Sequence, residues 1–311
     1  MKRCCVIGGN GFIGQHLIDL LVESGRKVDV VDTVAPLQSR HKVGVTCWQY
    51  NRGDKKFLQS ILKKCDEAVD LAYSTVPKTS FEDPIQDIKL NLPFGVELFH
   101  LAAKTSIRKL IIVSSGGTVY GEPLKIPICE DHPTNPISPY GITKLAIEKY
   151  ALMFFHLHSL PVIILRPGNA FGEHQRPFAS QGFIATAMAS IVQGKKITLF
   201  GRMGTIRDYI YVKDIASGVV SALEKGKEGS IYNLGSGIGR TNKDVLQTIK
   251  PLARVRDLAV RAVIAPHRKF DVSTNILDST KLRVETGWQI KISFEDGIKK
   301  TWDWFVKHHA S

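Results

Sequence analysis

Tyr140 and Lys144 stand four residues apart in SPYGITK, so a helix beginning there carries both on one face. An unperturbed tyrosine titrates near ~10 and is a poor base at neutral pH. An ammonium ~4 Å away, at an effective dielectric of ~20, favours the phenolate by roughly 4 kcal/mol, about a thousandfold in ionisation. A tyrosine tuned in this way can take the proton of a secondary alcohol while hydride leaves the same carbon. The pair therefore points to redox chemistry at a carbinol carbon, with a hydride acceptor close by.

A place for that acceptor is written at the front of the chain. Residues 3–7 (RCCVI) read as a strand, and Gly8, Gly11 and Gly14 follow as G-x-x-G-x-x-G. An amphipathic stretch from Gln15 to Ser24 puts Leu17, Leu20 and Leu21 on one helical face, and Val28–Asp32 reads as a second strand. The first glycine permits a tight turn, the second admits a pyrophosphate against the backbone, and the third lets helix and strand pack closely. Phe12 and Ile13 lie in that turn, where a helix N-terminus offers free amides to phosphate. Asp32, eighteen residues after Gly14, can accept both hydroxyls of an adenosine ribose. Its charge repels a 2′-phosphate, and Thr33-Val34-Ala35-Pro36 supplies no arginine to clamp one, so NAD is expected over NADP. Asp54, after the expected third strand, is a candidate for the adenine amino group. Leu71, Ala72 and Tyr73 close the next strand, and Ser114 and Pro167 close later ones. All five are candidates for packing against the cofactor.

Further strands are expected at Glu67–Ala72, Leu110–Ser114 and Val162–Leu165, separated by helical segments, one of them starting near Ser138. Such alternation implies a doubly wound parallel α/β sheet of Rossmann type. After Gly172 the pattern loosens. Helices are expected at 182–193, 214–224, 243–250 and from Ser293, with strands at 197–200, 230–234 and 261–265. The expected cofactor domain is 1–172 with interleaved parts of about 205–240 and 275–285. The expected smaller C-terminal substrate lobe takes about 173–204, 241–274 and 286–311.

Bulk properties narrow the class. In 311 residues, 43% hydrophobic and 23% charged content describes a globular protein. No apolar run reaches the roughly 20 residues of a membrane span, and no secretory leader is recognisable, so a cytoplasmic enzyme is expected. The five cysteines form no CxxC pair, which excludes a patterned metal site or disulfide framework. The net charge of +13 is spread along the chain without an RNA-binding signature, so no nucleic-acid partner is expected.

The chain resembles the extended short-chain dehydrogenase/reductase family, in particular its UDP-glucose 4-epimerase-like branch. The motifs that carry the resemblance are GGNGFIG at the start, SSGGTVYG at 114–121, SPYGITK at 138–144 and RPGNAFG at 166–172. TIRDYIYVKDI at 205–215 and HRKFDV at 267–272 extend it through the second half. The resemblance implies a general base at Tyr140 and an electrostatic partner at Lys144 that also bonds the nicotinamide ribose. It places Asn91 in support of a proton relay. It implies diphosphate contacts at Arg207 and Arg268, a nucleoside ribose contact at Asp271 and a nucleotide contact at Asn169. Ser74 and Thr75 fall at the cleft edge beside the sugar. Asn275 falls where a bulkier aromatic often meets the hexose, which would leave room for an N-acetyl group. The family's catalytic serine or threonine position holds Gly116. Ser115 and Thr118 are the nearest hydroxyls, with Thr118 slightly preferred because a Gly116-Gly117 turn would bring it inward.

The expected activity is NAD-dependent 4-epimerisation of a UDP-hexose, glucose/galactose or their N-acetyl forms, by a homodimer. The alternative is a reductase or dehydrogenase of a nucleotide-linked 4-keto-deoxysugar. A non-catalytic NAD-sensing or RNA-binding scaffold is the rival of a different class, and the presence of Tyr140 and Lys144 argues against it.

Overall fold

The computed structural model describes residues 1–34, 43–179, 181–201, 204–266 and 271–309. The first half alternates β1 (Arg3–Ile7), α1 (Phe12–Glu23), β2 (Lys27–Asp32), β3 (Val45–Gln49), α2 (Lys55–Leu62) and β4 (Glu67–Asp70). It continues through α3 (Pro77–Glu82), α4 (Pro84–Ala102), β5 (Lys109–Val113), α5 (Pro139–His158), β6 (Val162–Pro167) and β7 (Asn169–Phe171). The second half holds α6 (Phe183–Val192), β8 (Ile197–Phe200), β9 (Ile206–Tyr211), α7 (Val212–Lys225), β10 (Ile231–Leu234) and β11 (Gly239–Thr241). It ends with α8 (Asn242–Arg254), β12 (Ala262–Ala265), β13 (Thr274–Asn275), α9 (Thr280–Thr286) and α10 (Phe294–His309).

Seven strands form one sheet in the order β10-β6-β5-β4-β1-β2-β3. Every pairing in it is parallel. Alternate side chains serve opposite faces, as the pleat requires. Cys4 and Val6 pack with Leu17 and Leu21 of α1 and Ile215 and Val219 of α7. Cys5 and Ile7 pack with Leu58 of α2, Leu98 of α4 and Ile147 of α5. With both faces covered, the strands read as continuous apolar runs, and β6 is buried at all six positions. The fold is thus the expected doubly wound Rossmann-type α/β sheet.

A smaller assembly sits beyond the C-terminal ends of these strands. There β9 runs between β11 and β13 and also pairs with β7, while β8 pairs with β12. Its own core joins Met188 of α6, Ile249 of α8 and Trp302 of α10 to Tyr209 and Tyr211. The chain interleaves the two regions, because β10 returns to pair with β6 after this excursion.

Several elements differ from expectation. Helix α1 starts at Phe12, not Gln15, with Gly11 as its cap and Gly14 inside it. A Cβ on Gly14 would lie 2.4 Å from the Gly9 carbonyl oxygen, so this glycine lets the helix close onto the turn. Strand β4 ends at Asp70, although Leu71 N still donates to Ile7 O. The short strands β7, β11 and β13 lack the length that makes a pattern visible.

Candidate active site

The glycine turn is shaped by backbone alone. Gly8 has φ +77°, and a Cβ on it would press within 2.9 Å of Ala72 N, so the end of β4 lies directly against the turn. Gly11 caps α1 without any side-chain hydrogen bond. The first-turn amides of Phe12, Ile13 and Gly14 have no acceptor within the helix, leaving a donor cluster suited to a diphosphate. Asp32 ends β2 beside it. One carboxylate oxygen accepts Asn10 N at 2.9 Å and the other Val34 N at 3.1 Å. These bonds hold the acid at the turn, and each oxygen retains a lone pair for a ribose hydroxyl. Ser114, at the end of β5, is buried, and its Oγ has no partner. Glycine cradle, open amides, acidic strand end and orphaned hydroxyl together fit a dinucleotide. Leu71, Ala72 and Pro167 end β4 and β6 in the same row of strand ends.

Asp54 has another task. It caps α2, accepting Phe57 N at 3.0 Å through Oδ1. Asp-Lys-Lys-Phe is a helix-start pattern, and the second carboxylate oxygen keeps its acceptor capacity.

Tyr140 is placed by the start of α5. Ser138 caps the helix by accepting Gly141 N at 3.2 Å, and Pro139 occupies the first turn. Tyr140 N donates to Ser80 Oγ at 3.1 Å, pinning the tyrosine to α3. The side chain is buried, and Ser115 is the side chain that favours ionisation of its phenol. Lys144 follows one turn later, donating to Val113 O at 2.9 Å. Its ammonium lies 4.1 Å from the centre of the Tyr73 ring and 5.9 Å from that of Tyr140. The Tyr73 ring meets Tyr140 edge-on, with centroids 4.8 Å apart.

Electrostatics here depart from the sequence expectation. The Tyr140 phenol is raised above its ordinary value, first by burial and then by the charge of Asp87, with the Ser115 hydrogen bond opposing both. The expected lowering by Lys144 is not seen, because the ammonium is turned to the Val113 carbonyl and the Tyr73 face. Burial in turn lowers Lys144 to about 8, against the charges of Asp70, Glu148 and Asp87.

Packing accounts for the glycine. A Cβ on Gly116 would stand 2.6 Å from Leu277 Cδ1 and 2.8 Å from Arg166 O, so the backbone here accommodates only glycine without a shift. The two nearest hydroxyls stand in different surroundings. Thr118 Oγ1 is buried without a partner, whereas Ser115 acts on the Tyr140 phenol.

Asn91 and Thr75 belong to one buried network. Asn91 accepts Ser74 N at 2.8 Å and donates to Asp87 O at 2.8 Å and to Thr75 Oγ1 at 3.1 Å. The amide thus ties the segment after β4 to α4. The Thr75 hydroxyl is directed into Asp87, while Ser74 stays exposed at the edge.

On the lobe side, Asn169 lies in β7 with its Oδ1 3.5 Å from where a Cβ on Gly117 would stand, beside Ser115. Arg207, on β9, is in register with Asn275 on β13 and with Arg240 on β11. Asn275 is buried and donates to Gly116 O at 2.9 Å, with its own Oδ1 unpartnered. Its amide therefore binds the Ser115 loop, a second consequence of the short side chain. Asp271 is half-buried at the approach to β13. Arg268 lies outside the described residues.

Sequence reasoning missed Asp87 and Thr143. Asp87 sits four residues before Asn91 on α4, one turn away on the same face, and that spacing was its available signal. Thr143 carries no signal until neighbouring elements are placed.

This combination of sheet, turn and buried tyrosine recurs in known proteins. A curated UDP-glucose 4-epimerase from Lactobacillus helveticus is 31% identical over 334 residues, covering 98% of each chain. The solved UDP-glucose 4-epimerase of Thermus thermophilus, in complex with NAD, superposes with TM-score 0.91 at 32% identity, covering 98% of this chain and 99% of that one. The Thermotoga maritima UDP-glucose 4-epimerase, solved with UDP-glucose, gives the same TM-score, identity and coverage. Residues 4–235 match the NAD dependent epimerase/dehydratase family. With residues 4–235 of 311 matched, the chain belongs to the NAD dependent epimerase/dehydratase family.

Proposed function

We propose that the protein is an NAD-dependent 4-epimerase of UDP-hexoses, acting on glucose/galactose or their N-acetyl forms. The observation that carries the reading is the buried cluster of Tyr140 and Lys144, one helical turn apart on α5 and joined through the Tyr73 ring, in a chain that also carries the glycine turn and Asp32. Gly8, Gly11 and the first turn of α1 would hold the NAD diphosphate, and Asp32 the adenosine ribose. NAD bound there supplies hydride transfer from and back to C4 of the sugar. Tyr140 takes the C4 hydroxyl proton as the 4-keto sugar forms and returns it when the alcohol is restored in the opposite configuration. Ser115 orients that hydroxyl, and Lys144 favours the phenolate by its charge. Arg207 and Asn169 would contact the nucleotide portion, and Arg268 and Asp271 would supply the remaining diphosphate and ribose contacts. Solved relatives bind ligands of this class: UDP-glucose in the Thermotoga enzyme, and UDP-N-acetylmuramic acid in the UDP-N-acetylglucosamine 4-epimerase of Methanobrevibacter ruminantium (TM-score 0.88, 26% identity, 98% of each chain).

The parts fall into a cofactor domain of 1–172, with the returning segments near 205–240 and 275–285, and a substrate lobe from the remainder. A cytoplasmic homodimer is part of the same proposal. No helix of the described residues is long and apolar enough to cross a membrane. The exposed Ile85 and Ile88 on α4 and Ile142, Tyr150, Met153 and Leu157 on α5 form a surface that two copies would bury as four helices.

The test is NMR of the sugar ring during incubation with UDP-glucose, UDP-galactose and their N-acetyl forms in the presence of NAD. Interconversion without net NADH is the expected result. Net NADH would replace the epimerase by a dehydrogenase. Turnover unchanged in Tyr140→Phe would overturn the site.

A further inference from the structure

We propose that Asp87 is the positioning residue of this site, holding Tyr73 as a wedge between Tyr140 and Lys144 and thereby setting where the base and its cation stand. The inference rests on the roles given above to Tyr140 and Lys144.

Asp87 is fully buried on α4. One carboxylate oxygen accepts Thr143 Oγ1 at 2.6 Å, from the residue next to Lys144 on α5. The other receives Thr75 Oγ1, Tyr73 OH at 3.3 Å and Asn91 Nδ2 at 3.3 Å. A single carboxylate thus joins α4, the segment leaving β4 and the helix that carries the reactive pair. Tyr73 is the piece that transmits this position. Its hydroxyl is anchored on Asp87, its edge or face meets Tyr140, and its ring carries the Lys144 ammonium.

A buried carboxylate is costly to keep when only neutral donors meet it. Among the described residues, no lysine or arginine forms an ion pair with Asp87. Both oxygens accept, from four donors in all, and the carboxylate also acts on the titratable groups beside it. Its charge is felt by Lys144, whose burial is opposed by Asp70 at the end of β4, by Glu148 on its own helix and by Asp87. It is felt by Tyr140, where it adds to burial and opposes Ser115. Tyr73 is raised by burial, Tyr140 and Asp87 in turn.

The experiment has one arm without ligand and one with substrate. In ligand-free protein carrying isotope-labelled lysine, the Lys144 signal is assigned by its loss in Lys144→Met and titrated by NMR. It titrates near pH 8 in the parent, and Asp87→Asn is expected to move it down by about one pH unit. In steady state with the interconverted UDP-sugar, Asp87→Asn lowers kcat about tenfold with KM within about twofold, and the alkaline limb moves down with Lys144. Thr143→Val keeps the charge and removes one anchor, and is expected to lower kcat severalfold without moving the Lys144 titration. It also carries the test if Asp87→Asn fails to fold. An unmoved Lys144 titration in Asp87→Asn, or parental kcat in Thr143→Val, overturns the proposal. Absence of epimerase activity in the parent would sink the function while the ligand-free arm still decides the role of Asp87.

Discussion

Gly116 and Leu277 meet so closely that one added carbon at Gly116 would stand 2.6 Å from Leu277 Cδ1. The family's usual hydroxyl position is thereby closed, and restoring a serine there is expected to harm the protein. Gly116→Ser should lower stability by roughly 1–3 kcal/mol, the usual range for overpacking, with no gain in turnover. Thermal melts beside epimerase assays check both halves.

The two neighbouring hydroxyls should separate cleanly. Ser115→Ala removes the hydroxyl that favours ionisation of the Tyr140 phenol and should lower kcat by about tenfold to a hundredfold, the worth of a hydrogen bond to a charged group in the reacting complex. Thr118→Val removes a buried, unpartnered Oγ1, and should raise the melting temperature of the ligand-free protein while leaving kcat within about threefold. A reversed pattern would return the catalytic role to Thr118.

Asp32 anchors the glycine turn through Asn10 N as well as facing the expected ribose. Asp32→Ala should weaken NAD binding about tenfold to a hundredfold and narrow the preference over NADP, measured by calorimetry with each cofactor.

Asp70 predicts a pH-dependent gain. Burial raises its carboxyl from 3.8 to about 6, against the Ala72 N hydrogen bond and the Lys144 and Arg52 charges. The folded state therefore binds this proton more tightly than the unfolded chain. Its penalty is complete above pH 6 and disappears below about pH 4. Asp70→Asn should stabilise the protein by up to about 3 kcal/mol above pH 6, with the gain fading as pH falls through that window. Denaturant titrations at three pH values test the sign. Lys144 loses a supporting charge in the same variant, so the alkaline limb of activity should also move down.

The α4–α5 surface should govern assembly. Ile142→Glu places a charge on an exposed apolar position, and is expected to convert a dimer to monomer in light scattering with little change in the far-UV spectrum. A parent that is already monomeric would remove the homodimer from the proposal.

The parts of the site that follow from local spacing were legible in the chain. Gly8, Gly11, Gly14 and Asp32 lie on one strand–turn–helix–strand unit, and Tyr140 and Lys144 lie on one helix turn. What stayed hidden depends on distant partners. Gly116 shows as a departure in the sequence, but its cause is Leu277, brought in by a late segment of the chain. Asp87 gains meaning only when Tyr73, Thr75 and Thr143 converge on it. The ionisation of Tyr140 was misjudged because helix spacing fixes which face Lys144 occupies but not where its long side chain turns. The capping duty of Asp54 was not legible until the start of α2 was seen.

The return of β10 to the edge of β6 has a consequence for how this protein can be divided. A chain cut after Gly172 would expose β6, six buried residues whose outer backbone groups would have no neighbour. Such a fragment should self-associate, and the specificity region cannot be exchanged as a terminal cassette. Recombination between relatives would succeed only where both crossings, out of the sheet and back into it, are carried over together.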